Sequence, residues 1–593
     1  MIDSSIAGPA RSLCGRAPVA TRAPKRAISC GWVMPRWLSS FEPLQLLDLS
    51  DACSERSPIL SRRYPHAHIW SVIEHDDLSN SRGTACHERG HSIVTGNITA
   101  NNSIGRLWAQ EAGGGFDVII DPTVSSSSHP ILRLLACWNI ALRPGGRFIF
   151  EDVASDLRVV GAMQDYMEWL IIRATTCQWK RGNICWRRNF GKQRPTAMQE
   201  VVHDPPPELL YIVVLKQSLV LRKAAGVYYS PSIESFWSGT RSRHEAITLP
   251  HSLAPEDACI SNFTATANRS ERVTDKINPH YYHVLYGSQL CHVHGGGRVG
   301  ASAPGLQGGR GGRQLWTSPA KMLEIGLGCN MAYGPGASAR LWEALFRSTE
   351  RWEAEYNGEC VKATQAKGLL DGVHLLIGDQ GNRETVAQWV QQSGGHFDVV
   401  IDDGGHGNRQ ILTSFERLWP ELSPGGIYFI EDMQLGRTLT CDDTNGSAVV
   451  ADFVQSLAAD VLVGRKQAAK LPDEPKAFPR GISVPGGRRR STSKLFSFLP
   501  ADLFVEVEYV FCTLEACSVG KAPVGPSRRS APVIGGGGKE GENALRDRAR
   551  KPLQPLDAAA PAGGAWAGGA EAGGAGAGAG GLAGSIGSGS GSG

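Results

Sequence analysis

Two acid pairs and a histidine stand close together in the second half of this chain: Asp402, Asp403 and His406 in the run IDDGGH, and Glu431 with Asp432 in IEDMQ. Each pair closes a short apolar run, FDVVI before the first and IYFI before the second. That pattern predicts buried parallel strands with acids at their carboxyl ends, the edge where open α/β sheets bind ligands. Adjacent strands lie ~4.8 Å apart, so carboxylates from two such ends can meet on one cation. Mg²⁺ suits the donors, because it takes oxygen ligands and keeps places for water or substrate oxygens. A metal makes a hydroxyl more acidic, and a histidine with an ordinary pKa of about 6.5 can take its proton. Singly, each residue has a plainer role, as a solvated acid at a strand end or a histidine capping a helix. Five in register, with the second pair beginning 431 − 406 = 25 positions after the histidine, favour a site.

Upstream elements must position these groups. KMLEI predicts a buried strand over Met322 to Ile325, followed by a turn with Gly326 and Gly328 and a helix carrying Leu341, Trp342, Leu345 and Phe346. Glycines in such a turn permit close approach of a ligand to the backbone. RWEAEY predicts a second strand ending at Glu355, whose carboxylate can accept both hydroxyls of a ribose; Tyr356 and Asn357 leave that assignment open by one or two positions. Asp379 and Gln380 follow a third strand. Gly334, Gly336 and Ser338 either shape the ligand site or form a plain turn with Ser338 as the N-cap of the helix. The dinucleotide fingerprint G-x-G-x-x-G/A fails, because Met331 stands at its third position.

Glu324-x-Gly326-x-Gly328 instead resembles motif I of class I S-adenosylmethionine (SAM) methyltransferases. The ordered set GDQ, IDDGGH and IEDMQ is similar to the metal-dependent sugar O-methyltransferases of macrolide biosynthesis, over about residues 275 to 521. The resemblance implies a SAM donor, a Mg²⁺ ion and a small-molecule hydroxyl acceptor of the sugar kind. It implies that Asp403, Glu431 and Asp432 bind the metal and that His406 is the general base. Glu324, Gly326, Gly328, Ser338, Glu355, Asp379, Gln380 and Asp402 would line the donor, with Asp379 and Gln380 at the adenine. The lead-in DKINPHYYHVLY, Asp275 to Tyr286, resembles the family's short helical segment whose His and Tyr line the substrate side.

The first half repeats the second. GFDVIID and GGRFIFEDV match HFDVVID and GGIYFIEDM, with Phe116 on Phe397 at an offset of 397 − 116 = 281. A self-match over a domain length predicts a tandem duplication of an α/β, doubly wound Rossmann-like sheet. The site itself is not repeated. Asp48 keeps the place of Glu324, but Ser50 and Ala52 replace the two glycines, Asn97 replaces Asp379, Pro122 replaces Asp403, and Ser125 to Ser128 occupy the place of His406. Glu151 and Asp152 remain. The expected domains are a basic arm or transit peptide (1–37), a degenerate methyltransferase-like domain (38–225), a linker (226–264), the catalytic domain (265–523) and a disordered Gly/Ala/Ser-rich tail (524–593). Residues 294–319 look like a flexible insertion.

Composition excludes little but is consistent. A net charge of +4 over 593 residues does not argue for nucleic acid as a general partner. No apolar run reaches the ~18 residues a membrane helix needs, and no apolar core of a secretory signal is present. Fourteen cysteines without a C-x-x-C pair suit reduced thiols in the cytosol or an organelle, and Cys512 and Cys517 read as buried structural residues. Two rival functions follow from the same features: a non-catalytic scaffold of two methyltransferase-like domains, or an RNA methyltransferase using the basic stretch 464–494.

Overall fold

Strands in this chain alternate apolar side chains toward two different helical layers, and the layers explain the fold. A computed structural model describes residues 45–50, 57–73, 92–97, 102–122, 129–153, 157–173, 206, 208–224, 255–269, 274–277, 280–290, 319–331, 333–437, 441, 449–464 and 506–523. In the first half the strands are β1 (Gln45–Asp48), β2 (His68–Ile73), β3 (Ser92–Thr95), β4 (Phe116–Pro122), β5 (Leu142–Glu151), β6 (Leu209–Leu215) and β7 (Ser218–Lys223). Their helices are α1 (Ser57–Arg63), α2 (Asn102–Glu111), α3 (Pro130–Ile140) and α4 (Leu157–Glu168), which runs into a π turn at Trp169–Arg173. Two helices follow, α5 (Pro255–Arg269) and α6 (Tyr282–Leu290). The second half has β8 (Lys321–Ile325), α7 (Ala337–Leu345), β9 (Glu350–Glu355), α8 (Gly358–Ala366), β10 (Val373–Ile377) and α9 (Arg383–Ser393). It continues with β11 (Phe397–Asp402), α10 (Asn408–Leu418), β12 (Leu422–Ile430), α11 (Val450–Val463), β13 (Val507–Cys512) and β14 (Cys517–Lys521).

All fourteen strands form one sheet, in the order β10-β9-β8-β11-β12-β14-β13-β6-β7-β5-β4-β1-β2-β3. Each half numbered from its own first strand therefore reads 3-2-1-4-5-7-6. The first five strands of each half pair in parallel, and the last two form an antiparallel hairpin inserted beside the fifth. The halves meet edge to edge, where Tyr509 to Cys512 of β13 pair antiparallel with Ile212 to Leu215 of β6. An apolar docking face is thus only part of the union; backbone hydrogen bonds carry the sheet across it.

On β11, Val400 faces one layer while Val399 and Ile401 face the other; on β4, Ile119 and its neighbours Val118 and Ile120 do the same. Period-2 alternation with both faces apolar is what a sheet covered on both sides requires. One layer is α2, α3, α4, α9, α10 and α11, contributing Trp108, Trp138, Tyr166, Trp389, Phe415 and Phe453. Ile411, Leu412, Phe415 and Leu418 put that apolar stripe on α10 at helical spacing. The other layer is α1, α5, α6 and α7, with Leu60, Phe263, Tyr286 and Trp342.

The stretch 255–264, expected as linker, is instead helical and buried within that second layer. Its acids account for the docking: Glu256 accepts from Tyr211 Oη at 3.2 Å and pairs with Arg222 at 2.6 Å and with Arg147, and Asp257 pairs with Arg222. The expectation of reduced thiols is also corrected. Cys329 is joined to Cys360 and Cys512 to Cys517, the latter pair facing each other across the β13–β14 hairpin. The basic arm, the insertion at 294–318, the basic stretch beyond Gly464 and the tail lie outside the described residues. Among the described residues no helix is long and apolar enough to cross a membrane.

Candidate active site

β8 and β11 are neighbours, yet the chain winds away from them in opposite directions, to β9 and β10 on one side and to β12 on the other. The carboxyl ends on either side of such a switch point leave a crevice. Gly326 leaves β8 with φ 106°, and a Cβ there would lie 2.0 Å from the Asp403 carbonyl oxygen. Close approach at this glycine is therefore by the strand-end backbone of β11, whose Asp403 N–H donates to Ile325 O at 3.0 Å. Gly328 differs: it also has positive φ, at 77°, but a Cβ there would be in ordinary contact with its own loop, with Met331 Cγ at 3.6 Å and Gly334 O and Tyr333 Cε2 at 3.9 Å.

Glu355 ends β9 as expected, half-buried at the crevice lip. One carboxylate oxygen accepts from Leu327 N at 3.1 Å and the other from Asn357 N at 2.8 Å, which ties the glycine loop to β9. Asp379 accepts from Gly381 N at 2.8 Å in the loop after β10. Met331, Tyr356 and Ile377 are exposed apolar residues after β8, after β9 and at the end of β10, on the same edge. Ser338 is half-buried in the first turn of α7, and the N-cap of that helix is Gly336 rather than Ser338.

Three expected donor residues are turned inward. Glu324 is buried, accepting from Trp342 Nε1 at 3.0 Å and lying 3.2 Å from Lys276 Nζ. Asp402 is fully buried and accepts from Gln380 Nε2 at 2.9 Å, from Tyr428 Oη at 2.9 Å and from Ser414 Oγ. Gln380 uses its other end to accept from Gly405 N at 2.8 Å. Asp402 and Gln380 thus brace the loop that carries His406 from behind, as buried polar groups must be satisfied by such bonds.

Asp403, His406 and Asp432 each offer a ligand atom within 4.8 Å of the others. His406 Nε2 lies 3.5 Å from Asp432 Oδ2, while its buried Nδ1 has no hydrogen-bond partner among the described residues. Both residues are held at positive φ, 55° and 51°. Non-glycine residues there carry strain of order 1–3 kcal/mol and are concentrated at functional sites. Asp432 accepts from Tyr282 Oη at 2.5 Å and Gln434 Nε2 at 3.1 Å, and His280 Nδ1 stands 3.4 Å away. Burial alone would raise the Asp432 carboxyl, but the histidines His406 and His280 and the bonds from Tyr282 and Gln434 hold it below its ordinary value. Burial lowers His280, yet the Glu515 bond at 2.6 Å and the Asp432 charge outweigh it and push the imidazole up to about 9.

Glu431 is placed differently from expectation. Its Oε1 accepts from Lys276 Nζ at 2.8 Å and from Tyr286 Oη, and it belongs to no metal-sized group among the described residues. Burial and then Asp403 push its carboxyl well above the ordinary range. Burial likewise raises Asp403 to about 6, against the pull of Lys276 and His406. The two carboxylates and the imidazole that come within 4.8 Å of one another, at Asp403, Asp432 and His406, are a donor set that suits a hard cation. The sequence reading passed over Lys276, Tyr282, His280 and Glu515 as individual site residues. For the first three the signal was the lead-in DKINPHYYHVLY; a lysine beside an aspartate and a glutamate in a hairpin turn read singly as surface groups.

In the first half the corresponding places are self-satisfied. Ser50 Oγ donates to Asp48 at 2.7 Å where Gly326 stands later. Asp121 takes both Nε and Nη2 of buried Arg133, at 2.9 and 2.6 Å, where Asp402 holds Gln380. His129 caps α3, its Nδ1 accepting from Ile131 N. Asp152 keeps the positive φ of Asp432.

No family model matches the chain. Curated relatives do. The mycinamicin VI 2''-O-methyltransferase of Micromonospora griseorubida is 35% identical over 123 residues, 20% of this chain and 29% of that one. An 8-demethyl-8-alpha-L-rhamnosyl tetracenomycin-C 2'-O-methyltransferase of Streptomyces olivaceus is 32% identical over 115 residues, 19% of this chain and 28% of that one. The chain thus spans under a third of the length of the curated relatives it matches. Among solved structures, the MycE methyltransferase of the mycinamycin pathway in complex with Mg and SAH overlaps 34% of this chain and 45% of its own, at 21% identity and a TM-score of 0.24. The chain is an α/β protein with a methyltransferase strand order, and over the matched stretch it resembles the class I, SAM-dependent sugar O-methyltransferases.

Proposed function

We propose that the chain transfers a methyl group from SAM to a hydroxyl of a small-molecule acceptor, of the sugar kind, with Mg²⁺ assisting. The observation that carries this reading is the meeting of Asp403, His406 and Asp432 within 4.8 Å at a sheet switch point that also presents the Glu355 loop. Glu355 would accept the donor's ribose hydroxyls, and the glycine loop at Gly328 would carry its methionine end. Asp379 and the exposed Ile377 and Tyr356 would flank the adenine. Asp403 and Asp432 would hold the metal, which when bound makes the acceptor hydroxyl more acidic. His406 would take the hydroxyl proton, with its imidazole held beside Asp432. The buried pair Asp402 and Gln380 would act by fixing the His406 loop, and Glu324 by anchoring Trp342 of α7 and Lys276, rather than by touching the donor; Ser338 in the first turn of α7 would line the donor's methionine end.

The first half supports this site and does not catalyse. Matching sequence and an equal strand order favour a tandem duplication, with residues 38–225 as the degenerate copy and 265–523 as the catalytic one. The test is a methyl-transfer assay on the full chain with SAM, with Mg²⁺ or chelator, against sugars, phenols and RNA. Methylation of a sugar hydroxyl that chelator abolishes is expected. Activity confined to RNA, or none with SAM bound, would overturn the acceptor class or the enzyme reading respectively.

A further inference from the structure

Lys276 has no exposed surface, and its ammonium meets three carboxylates from three strand ends: Glu324 at 3.2 Å, Asp403 at 3.0 Å and Glu431 at 2.8 Å. Two of its N–H donors are hydrogen-bonded, to Asp403 and Glu431, and Glu324 is an ion-pair neighbour. We propose that Lys276 is a resident cation, filling the inner half of the carboxylate cluster, so that a divalent ion is held on the outer side by Asp403 and Asp432 while Glu431 serves the lysine. This rests on the metal-assisted reading above and changes its ligand set.

Three observations support the division. Glu431 presents the same Oε1 to Lys276 and to Tyr286 Oη, both donors, and it lies outside the group of mutually close ligand atoms. Lys276 is held in place by its own segment: Asp275 accepts from Tyr333 Oη of the glycine loop at 2.7 Å, and Tyr282 donates to Asp432. Asp403 joins the two halves, its Oδ2 on Lys276 and its carboxylate also in reach of His406 and Asp432. Lys276 is thereby a positioning residue. It fixes Asp403 against the outer cation and neutralises acids that would otherwise draw a second ion.

The test is Mn²⁺ binding to the full chain, followed by the loss of the free-ion paramagnetic signal. Wild type is expected to bind one equivalent, and Asp403→Asn or Asp432→Asn to weaken it at least about tenfold. Glu431→Gln should change affinity by less than about threefold. Lys276→Met should tighten binding at least about tenfold or add a second equivalent, because like charge nearby is removed; Lys276→Arg should behave as wild type. Weakening by Glu431→Gln equal to that by Asp403→Asn overturns the proposal, as does Lys276→Met binding identical to wild type. Binding by Lys276→Met but not by wild type overturns the proposal, because the lysine then excludes the outer cation as well. No binding by any variant overturns both readings. If Lys276→Met fails to fold, the Glu431→Gln comparison decides.

Discussion

His406 and Asp432 are held in left-handed backbone on loops braced by Asp402 and Gln380, so small changes there act on position as well as on chemistry. Removal of the imidazole by His406→Ala should leave SAM and metal affinity nearly intact and slow turnover by roughly 10²–10⁴-fold, the range for a lost general base. Equal turnover in the variant, measured at saturating SAM, would remove His406 from that role. Gly328→Val should abolish SAM binding in calorimetry while the domain stays folded, because φ 77° disfavours a branched residue and would reshape the loop, while the Cβ itself meets nothing nearer than 3.6 Å. Unchanged SAM affinity would sink the donor assignment. Gly326 is a different case: a side chain there would strike the Asp403 carbonyl, so substitution should unfold the crevice rather than merely block it. The sequence made these glycines visible but could not say which one is crowded by another strand, since the type of residue is the same. It also could not show that Glu324 and Glu431 would turn to a lysine about fifty and one hundred and fifty residues upstream, because contact order is invisible in a local motif.

Helices and strands were legible wherever apolar spacing was strong. The predicted strand at Met322 to Ile325 is observed as Lys321–Ile325, and the apolar run Val449 to Leu462 is the helix Val450–Val463. α5 was missed because PEDACISNFTATANR has little apolar periodicity, and a buried ionic cluster docks it together with Ile260 and Phe263. Burial raises the Glu256 carboxyl, but Arg222 and Arg147 outweigh it and hold it at about 2, below its ordinary 4.5. A depressed acid contributes stability that is present above pH 4.5 and is lost as pH falls through about 2. Asp257 shifts upward, with burial prevailing over Arg222, and opposes part of that gain. Urea unfolding should therefore show an acid-labile step between pH 4.5 and 2 that Glu256→Gln removes. At pH 7 the same substitution should destabilise by about 3–5 kcal/mol, since it leaves two buried guanidinium groups without their shared partner. A change under about 1 kcal/mol would mean that packing, not the ion cluster, docks α5.

A continuous sheet joins the two halves from β10 to β3, and the candidate site spans β8, β11 and β12 and reaches the β13–β14 turn beside the seam. The hairpin turn carrying Glu515 illustrates this. Glu515 N–H donates to Leu170 O of the first half at 3.1 Å, its carbonyl accepts from Met433 N at 2.9 Å beside Asp432, and its carboxylate holds His280 at 2.6 Å. Gln455 of α11 donates to Glu168 of α4 at 2.7 Å, and Gln217 N–H to Leu462 O at 2.9 Å, so the contact is repeated along the seam. The self-match in sequence announced two similar sheets; their edge-to-edge union depends on β6 and β13, which are ordinary apolar strands with no mark of their partner. From this geometry the fragment 265–523 expressed by itself should expose the β13 edge and lose most of α5, including the Glu256 and Asp257 that pair with Arg147 and Arg222 of the first half. Unpaired apolar edges are aggregation sites, so the fragment should be poorly soluble, and its SAM-dependent turnover should fall with the slackened Glu515–His280 contact. Co-expression with 1–264 should restore both. The first half alone should bind neither SAM nor Mg²⁺ measurably, because Ser50, Pro122 and the Asp121–Arg133 pair fill the places where a donor and a metal would sit. Full solubility and activity of 265–523 would show that the first half is dispensable to the site, and SAM binding by the first half would overturn its degenerate reading.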